Sequence, residues 1–459
     1  MKMGNTTGWW YGGTIEEGHL RGFQREAEEK LSSSESILIS APTGLGKTRA
    51  AILPFVSKDN KMSTRIIYTL PIRALAKGVH EEFLEFKINP VIHHGEEPES
   101  EIFSERAIIT TIDQYFTAFA GAPLSWSSSV SHAATGAVLN SYTVFDEVHL
   151  LSPQKGLPLL FAILKLRHRW YFPTAVMTAT LPNSVIDFLN KQCGLKKVEA
   201  SENDIKERDD WRVVSLSLHD QELDSSGFVS LIEDKHQNCQ NKMIVFVNTV
   251  DRAIRIYKKL QAIFNNDKIL LAHSRFTKEH RKRVEKEIHE KFGKDSEFNG
   301  ILITTQVAEA GLNISAPLVI TELSPMDSLI QRAGRCARFK SSSGKVKGEV
   351  IVVKPKDKNW YTPYFDYVDI RKGKKEKGSL FKKGRITIAE ITWLVLKYPE
   401  NSNTIRLDWG KERELLNYAL NDIYSVFIEG KAVIYFKEEL EDKELGKLIK
   451  EHKKELEVG

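Results

Sequence analysis

The chain has 459 residues, 41% hydrophobic and 28% charged, which excludes both a peptide-sized fold and wholesale disorder. Lys and Arg total 66 against 61 Asp and Glu, and the net charge of +5 permits a polyanionic partner without demanding one. Cys193, Cys239 and Cys336 are widely spaced and odd in number, which indicates neither a disulfide framework nor a zinc site and fits a reducing cytoplasm. The longest apolar stretch near the middle, residues 157–164, stops at Lys165, well short of the ~18 residues of a membrane helix. The start, M-K-M-G-N-T-T-G-W-W, has no apolar leader segment, so a cytoplasmic chain with no membrane contact is expected.

In chain order, short β-branched runs alternate with longer charged, helix-like segments, the pattern of parallel strands joined by crossover helices. The first set lies at 37–39, 66–70, 107–111, 142–145 and 175–178. The polar stretch S-E-N-D-I-K-E-R-D-D after Ala200 reads as a linker. A second set follows at 243–247, 269–272, 301–304, 318–323 and 350–353, with a charged helix over 278–292. Two successive α/β units are therefore expected. The lysine-rich stretch from Arg371 to Arg385 reads as a solvated loop, and the last two dozen residues read as an amphipathic Glu/Lys helix.

Residues 41–48, A-P-T-G-L-G-K-T, stand between the 37–39 run and the helix-like R-A-A-I-L. In that setting glycines let backbone N–H groups curl around phosphate oxygens, and the helix adds its dipole, as in a P-loop. Lys47 is placed to reach the β and γ phosphates and Thr48 to ligate Mg2+. Ala41 stands where the pattern usually opens on glycine, leaving Gly44 and Gly46. About one hundred residues on, the 142–145 run enters D-E-V-H. Asp146, at the end of a buried strand, suits a Mg2+ shell, and Glu147 suits orienting and deprotonating the attacking water. Together the two motifs specify Mg-ATP hydrolysis.

With these motifs in place the chain resembles a superfamily 2 nucleic-acid helicase across both α/β units. L-P-I-R-A-L-A at 70–76 and T-T-I-D-Q at 110–114 are similar to its strand-contacting motifs, and M-T-A-T at 177–180 to its coupling motif. T-T-Q-V-A-E-A-G-L-N at 304–313 and Q-R-A-G-R-C-A-R at 331–338 are similar to its fifth and sixth motifs. R-G-F-Q at 21–24, H-S-R-F at 273–276, T-Q-V-A-E at 305–309 and M-D-S-L-I-Q-R-A-G-R from Met326 narrow the resemblance. They look like the CRISPR-associated type I helicase with a DEVH box, the motor of a helicase-nuclease recruited by a DNA surveillance complex.

The resemblance implies two tandem RecA-like parallel-sheet domains, over 1–200 and 201–356, and a small, mainly helical C-terminal domain over 357–459. It implies ATP and Mg2+ as cofactors, single-stranded DNA as the track, and a Cascade-like surveillance complex as partner. Because the P-loop begins at residue 41, it also implies a separate HD-type nuclease subunit. Lys47, Asp146, Glu147, Gln331, Arg335 and Arg338 form the expected catalytic set. Arg335 and Arg338 lie three apart and are expected on one helical face, aimed at the γ-phosphate. Gln24, with donors and an acceptor on one amide, is expected at the adenine edge, and Thr43, Gly44, Gly46, Lys47, Thr48, Glu309 and Gly311 complete the ATP set. Arg73, Thr111, Asn248, Thr249 and Thr305 are expected on the phosphodiester backbone, through groups that read no sequence. His149, Thr178 and Thr180 are expected to couple hydrolysis to movement. Asn313, where many helicases place aspartate, and Ala337, where glycine is common, depart from the pattern.

The expected function is a single-stranded-DNA-stimulated ATPase that unwinds target DNA in type I CRISPR interference. A general DNA or RNA helicase of repair or RNA metabolism is the alternative. Glu147, Arg335 and Arg338 argue against a nucleotide-gated clamp without turnover.

Overall fold

The computed structural model describes residues 9–10, 13–14, 20–57, 63–94, 97–98, 103–121, 131–152, 156–239, 242–309, 311–341, 344–356, 367–371, 384–397, 404–428 and 434–435. The basic positions 372–383, the charged terminal segment after Tyr435 and the side chains of Trp9 and Trp10 lie outside the described residues. The chain divides into one unit over Met1–Leu181 and Val185–Glu207 and a second over Pro182–Ser184 and Arg208–Gly459.

The elements of the first unit are α1 (Gly22–Ser32), β1 (Ile37–Ser40), α2 (Lys47–Val56), β2 (Ile66–Leu70), α3 (Ala76–Glu85), β3 (Val91–His94), β4 (Glu97–Pro98), β5 (Ala107–Thr111), α4 (Ile112–Phe119), α5 (Ser131–Leu139), β6 (Tyr142–Phe145), α6 (Gly156–Arg169), β7 (Thr174–Thr178), α7 (Asn183–Cys193) and β8 (Lys196–Glu199). They build an eight-stranded sheet in the order β8-β1-β7-β6-β2-β5-β3-β4. Every pairing is parallel except β3 with the short β4. Every residue of β1, β2, β5, β6 and β7 is buried. This is why they read as continuous apolar runs: a parallel sheet is covered by helices on both faces. Because β1, β7, β6, β2 and β5 are neighbours and parallel, their carboxyl ends share one sheet edge. The P-loop, the DEVH box and the expected strand-contacting residues all leave from that edge.

The polar stretch after Ala200 is helix α8 (Glu202–Trp211), where a linker was expected. Ser201 and Asp204 cap it reciprocally: the Ser201 hydroxyl donates to Asp204 Oδ2 at 2.7 Å, and the Asp204 N–H donates to Ser201 Oγ at 3.2 Å. Arg21 anchors it through Glu207 at 3.0 Å. A helix held by caps and ion pairs needs few apolar residues, and its sequence carries little periodic signal.

The second unit continues with β9 (Arg212–Leu218), α9 (Ser225–Cys239), β10 (Met243–Phe246), α10 (Val250–Gln261), β11 (Ile269–Ala272), α11 (Lys278–Phe292), β12 (Ile301–Thr304), β13 (Leu318–Glu322), α12 (Met326–Ala333), β14 (Val346–Val353), β15 (Tyr367–Arg371), β16 (Gly384–Thr387), α13 (Ile388–Lys397), β17 (Thr404–Leu407), α14 (Trp409–Ile428) and β18 (Ile434–Tyr435). Its sheet runs β11-β12-β10-β13-β14-β9-β17, parallel throughout except that β17 is antiparallel to β9. Helix α10 shows why these helices form. Thr249 caps its start, and Arg252, Ala253, Ile256 and Leu260 recur on one buried stripe. A separate three-stranded sheet has the order β16-β15-β18. Among the described residues no helix is long and apolar enough to cross a membrane.

Candidate active site

The P-loop follows buried β1 and ends at Lys47, the first residue of α2. Gly44 and Gly46 adopt φ of 87° and 86°, a left-handed conformation that side chains disfavour. A Cβ on Gly46 would also stand 2.8 Å from Gln24 Nε2, whereas Gly44 has open space and is fixed by its backbone alone. Gly46 is the N-cap of α2 and has no side chain to accept the first-turn N–H groups, so these donors are available to an anion. Lys47 is buried, with Nζ donating to the carbonyls of Ala41 at 3.1 Å and Pro42 at 3.4 Å.

Gln24 lies behind this loop. Its Oε1 accepts from the Arg21 N–H at 3.0 Å, which caps α1, and its Nε2 donates to the Gly46 carbonyl at 3.1 Å. The amide expected at the adenine edge therefore ties the start of α1 to the P-loop. An adenine contact would use its second N–H and second lone pair.

Asp146 follows β6 and is buried. Its Oδ2 accepts from the Tyr68 hydroxyl at 2.7 Å and its Oδ1 from the Glu147 N–H at 2.8 Å. Burial and the neighbouring Glu147 carboxylate push it up to about 7, against the opposing pull of the Tyr68 hydrogen bond and the Lys47 charge. Tyr68 is pushed well above its ordinary value by burial and by Asp146. Glu147 turns through a left-handed φ of 46°. His149 is lowered to about 4 by burial, against the raising effect of Glu147, so its imidazole is neutral near pH 7. The 3.4 Å approach of its Nδ1 to Glu147 Oε2 is therefore a contact of a neutral ring with a carboxylate, not an ion pair. The same nitrogen lies 3.3 Å from Thr178 Oγ1, which accepts from the Thr180 N–H at 3.2 Å. One imidazole thus touches both the DEVH carboxylate and the expected coupling segment.

The donor set fits Mg2+. It offers oxygen ligands, the Thr48 hydroxyl and the Asp146 carboxylate, and that carboxylate is held beside a second one in a buried setting that a dication would relieve.

Of the residues expected on a nucleic-acid strand in this unit, Arg73 is exposed in a single 3₁₀ turn after β2. Thr111 caps α4, its Oγ1 accepting from the Gln114 N–H at 3.5 Å.

In the second unit the expected residues gather around a buried arginine. Arg332 is wholly buried, and its Nε donates to Glu309 Oε1 at 2.7 Å. Its other donors reach Asn248 Oδ1 at 3.1 Å, Thr321 Oγ1 at 2.8 Å and the Glu322 carbonyl at 2.9 Å. Asn248, expected at the strand, is 1% exposed, with its Nδ2 on the Leu323 carbonyl at 2.8 Å and its N–H on Glu322 Oε2 at 2.7 Å. Arg252 Nε pairs with Glu322 Oε1 at 2.6 Å. Thr249 is the N-cap of α10, Thr305 is buried at the end of β12, and Gly311 has φ of 88°. Gln331 and Arg335 are buried, and Arg335 donates to the carbonyls of Ala308 at 3.1 Å and Glu309 at 2.5 Å.

The expectation that Arg335 and Arg338 share a helical face is corrected. Helix α12 ends at Ala333, Gly334 is its C-cap, and Ala337 turns the chain at φ 48°. The half-buried Arg338 instead follows that turn, its N–H donating to Ser315 Oγ at 2.9 Å.

Residues 21–188 match the family model of the DEAD/DEAH box helicases, and residues 239–341 match that of the CRISPR-associated nuclease/helicase Cas3, C-terminal. This chain belongs to the CRISPR-associated superfamily 2 helicases. It is 27% identical over 346 residues to a CRISPR-associated nuclease/helicase Cas3 of Methanothermobacter thermautotrophicus, covering 67% of this chain and 39% of that one. The crystal structure of T. fusca Cas3-ATP superposes with a TM-score of 0.67 at 19% identity, over 96% of this chain and 55% of that one. A structure titled CRISPR RNA-guided surveillance complex, pre-nicking, gives a TM-score of 0.63 at 20% identity, over 88% of this chain and 51% of its own. The chain thus spans about half or less of the length of these relatives, and the structural likeness establishes the tandem RecA-like fold.

Within this helicase, Tyr68 and Arg332 are central residues that were not among those expected. Each left a signal. Tyr68 puts a hydroxyl into the buried run I-I-Y-T-L, and Arg332 puts a charge between Ile330 and Ala333, both buried. A polar group buried at either place requires a partner.

Proposed function

We propose that this chain is an ATP-dependent translocase whose hydrolysis is stimulated by single-stranded DNA and which unwinds target DNA in type I CRISPR interference. In this reading it works with a Cascade-like surveillance complex and with an HD-type nuclease carried on a separate subunit. The observation that carries the reading is the meeting of P-loop and DEVH box. Gly44 and Gly46 turn the P-loop ahead of the buried Lys47, and Asp146 leaves the same end of the parallel sheet with its Oδ2 held by the Tyr68 hydroxyl at 2.7 Å. The likeness to a nuclease/helicase Cas3 and to a chain of a CRISPR RNA-guided surveillance complex supports the partners.

In this mechanism Lys47 leaves the Ala41 and Pro42 carbonyls for the β and γ phosphates, which the Gly44 to Thr48 backbone cradles. A Mg2+ ion held by Thr48 and Asp146 would neutralise charge on those phosphates. Glu147 orients the attacking water and takes its proton. Arg335, oriented by the carbonyls of Ala308 and Glu309, and Arg338 stabilise charge on the transferring phosphoryl group. His149 carries the state of the carboxylate end to Thr178 and Thr180. Arg73 and the hydroxyls of Thr111, Thr249 and Thr305 hold the strand backbone, and sequence choice is left to the partner.

The test is ATP hydrolysis by the purified chain with single-stranded DNA, duplex DNA and RNA side by side. Single-stranded DNA should accelerate turnover most, and Lys47→Ala should abolish it. Failure of every nucleic acid to stimulate hydrolysis would sink the proposal.

A further inference from the structure

Tyr68 stands in the middle of β2, paired with β6 in the register Tyr68↔Val144. It is fully buried, with its ring packed edge-on to Phe83 at 6.1 Å and 81°. Phenylalanine would fill that volume without the cost of desolvating a hydroxyl, so the hydroxyl is explained by what it holds. It donates to Asp146 Oδ2 at 2.7 Å, while the Glu147 N–H occupies Oδ1 at 2.8 Å, so both oxygens of the carboxylate are pinned. The backbone of Asp146 is tied to the same strand, its N–H donating to the Thr69 carbonyl at 3.0 Å. A single rigid side chain, anchored in a central strand, therefore holds the carboxylate that follows the neighbouring strand.

We infer that Tyr68 is the positioning residue of the metal–nucleotide site, setting the orientation of the Asp146 carboxylate that would hold the divalent cation. The inference rests on the Mg-ATP reading above. A flexible carboxylate would have to be ordered by the ion itself, which lowers its affinity. Fixing the carboxylate beforehand removes that cost.

The experiment uses the full chain and a fluorescent ATP analogue, titrated in EDTA and again in excess Mg2+, for wild type and Tyr68→Phe. In EDTA the two should bind alike. In Mg2+ the wild type should tighten, and Tyr68→Phe should lose about fivefold to tenfold of that gain, the scale of one hydrogen bond. Phe83→Leu, which loosens the ring without touching the hydroxyl, should keep the metal-dependent gain while lowering the melting temperature. Equal gains for wild type and Tyr68→Phe would overturn the inference. So would weaker binding by Tyr68→Phe in EDTA, or a melting temperature lower by more than about 10 °C, because either makes the hydroxyl a general folding element. A wild type that gains nothing from Mg2+ would instead remove the Mg-ATP reading, and this inference with it.

Discussion

In the first unit the Asp146 carboxylate sits 5% exposed against a second carboxylate and is driven towards its neutral form, beside an imidazole that is itself held neutral. In the second unit Arg332 is wholly buried but has Glu309 against its guanidinium at 2.7 Å, and Arg252 has Glu322 at 2.6 Å. The first place keeps a buried carboxylate beside a second one, while these two buried guanidinium groups of the second unit already have carboxylate partners. The difference separates a place prepared for a ligand from a framework that must survive without one. The framework links the loop after β10, the end of β13, the segment carrying Glu309 and helix α12 through one guanidinium, so it holds the expected motifs of that unit in register.

The largest effect that can break this contrast is on stability. Arg332→Met leaves Glu309 buried without its guanidinium and should cost about 3–5 kcal/mol in chemical denaturation, the range for breaking a buried pair from one side. Asp146→Asn should do the opposite in metal-free protein. The amide oxygen still accepts from Glu147, its NH2 donates to the Tyr68 oxygen, and the like charge beside Glu147 disappears. Stability should hold or rise while ATP turnover is lost. If Asp146→Asn proved the more destabilising of the two, the distinction between ligand site and framework would not survive.

A smaller effect sharpens the first half of the comparison through pH. Burial and Glu147 raise Asp146 from 3.8 to about 7. Between those values the folded chain keeps a proton that the unfolded chain has released, so this group's contribution is full below 3.8 and is lost as pH rises to 7. His149, lowered from 6.5 to about 4 by burial, runs the other way, and its contribution is full above 6.5 and is lost as pH falls to 4. In EDTA, the melting temperature of Asp146→Asn should exceed that of the wild type most clearly at pH 8, and the gap should close towards pH 4. His149→Gln should instead resist acid better than the wild type between pH 6 and pH 4. A gap between Asp146→Asn and wild type that ignores pH would mean that Asp146 ionises normally in the fold.

The sheets were legible because the expected runs are parallel strands, mostly apolar and buried at nearly every position. The strands that escaped notice lack that property. In β9 buried and half-buried residues alternate, and β17 lies at a sheet edge with exposed Thr404 and Arg406. Helix α8 escaped because ion pairs and a capping box, rather than an apolar stripe, hold it. At the site, Lys47, Thr48, Asp146 and Glu147 were legible because chemistry at a strand's carboxyl end has a fixed offset from the run before it. Tyr68 sits inside a run and reads as filler. Asn248 was expected outside and lies inside, because a residue one position past Val247 can turn back into the sheet edge when Arg332 and Glu322 offer it partners. The error over Arg335 and Arg338 came from extending a helical period across Gly334, a common stop signal that the helix obeys.

The smallest effect concerns the backbone, where the two units again differ. In the first, the left-handed positions of the P-loop at φ 87° and 86° are glycines. In the second, the turn that releases Arg338 from α12 is made at φ 48° by Ala337, which is 2% exposed. An alanine there carries about 1–2 kcal/mol of strain between its Cβ and the following carbonyl. Ala337→Gly relieves that strain, but it removes a buried methyl worth about 0.8 kcal/mol. It also adds about 0.5–1 kcal/mol of conformational entropy to the unfolded chain. These terms nearly cancel, so Ala337→Gly should change stability by less than about 0.5 kcal/mol in chemical denaturation. Ala337→Val keeps the strain and adds a branch at Cβ that the left-handed region disfavours, so it should cost about 2 kcal/mol or more. Equal effects of the two substitutions would show that the turn is not left-handed at Ala337, and the departure of Arg338 from the helix would then need another cause.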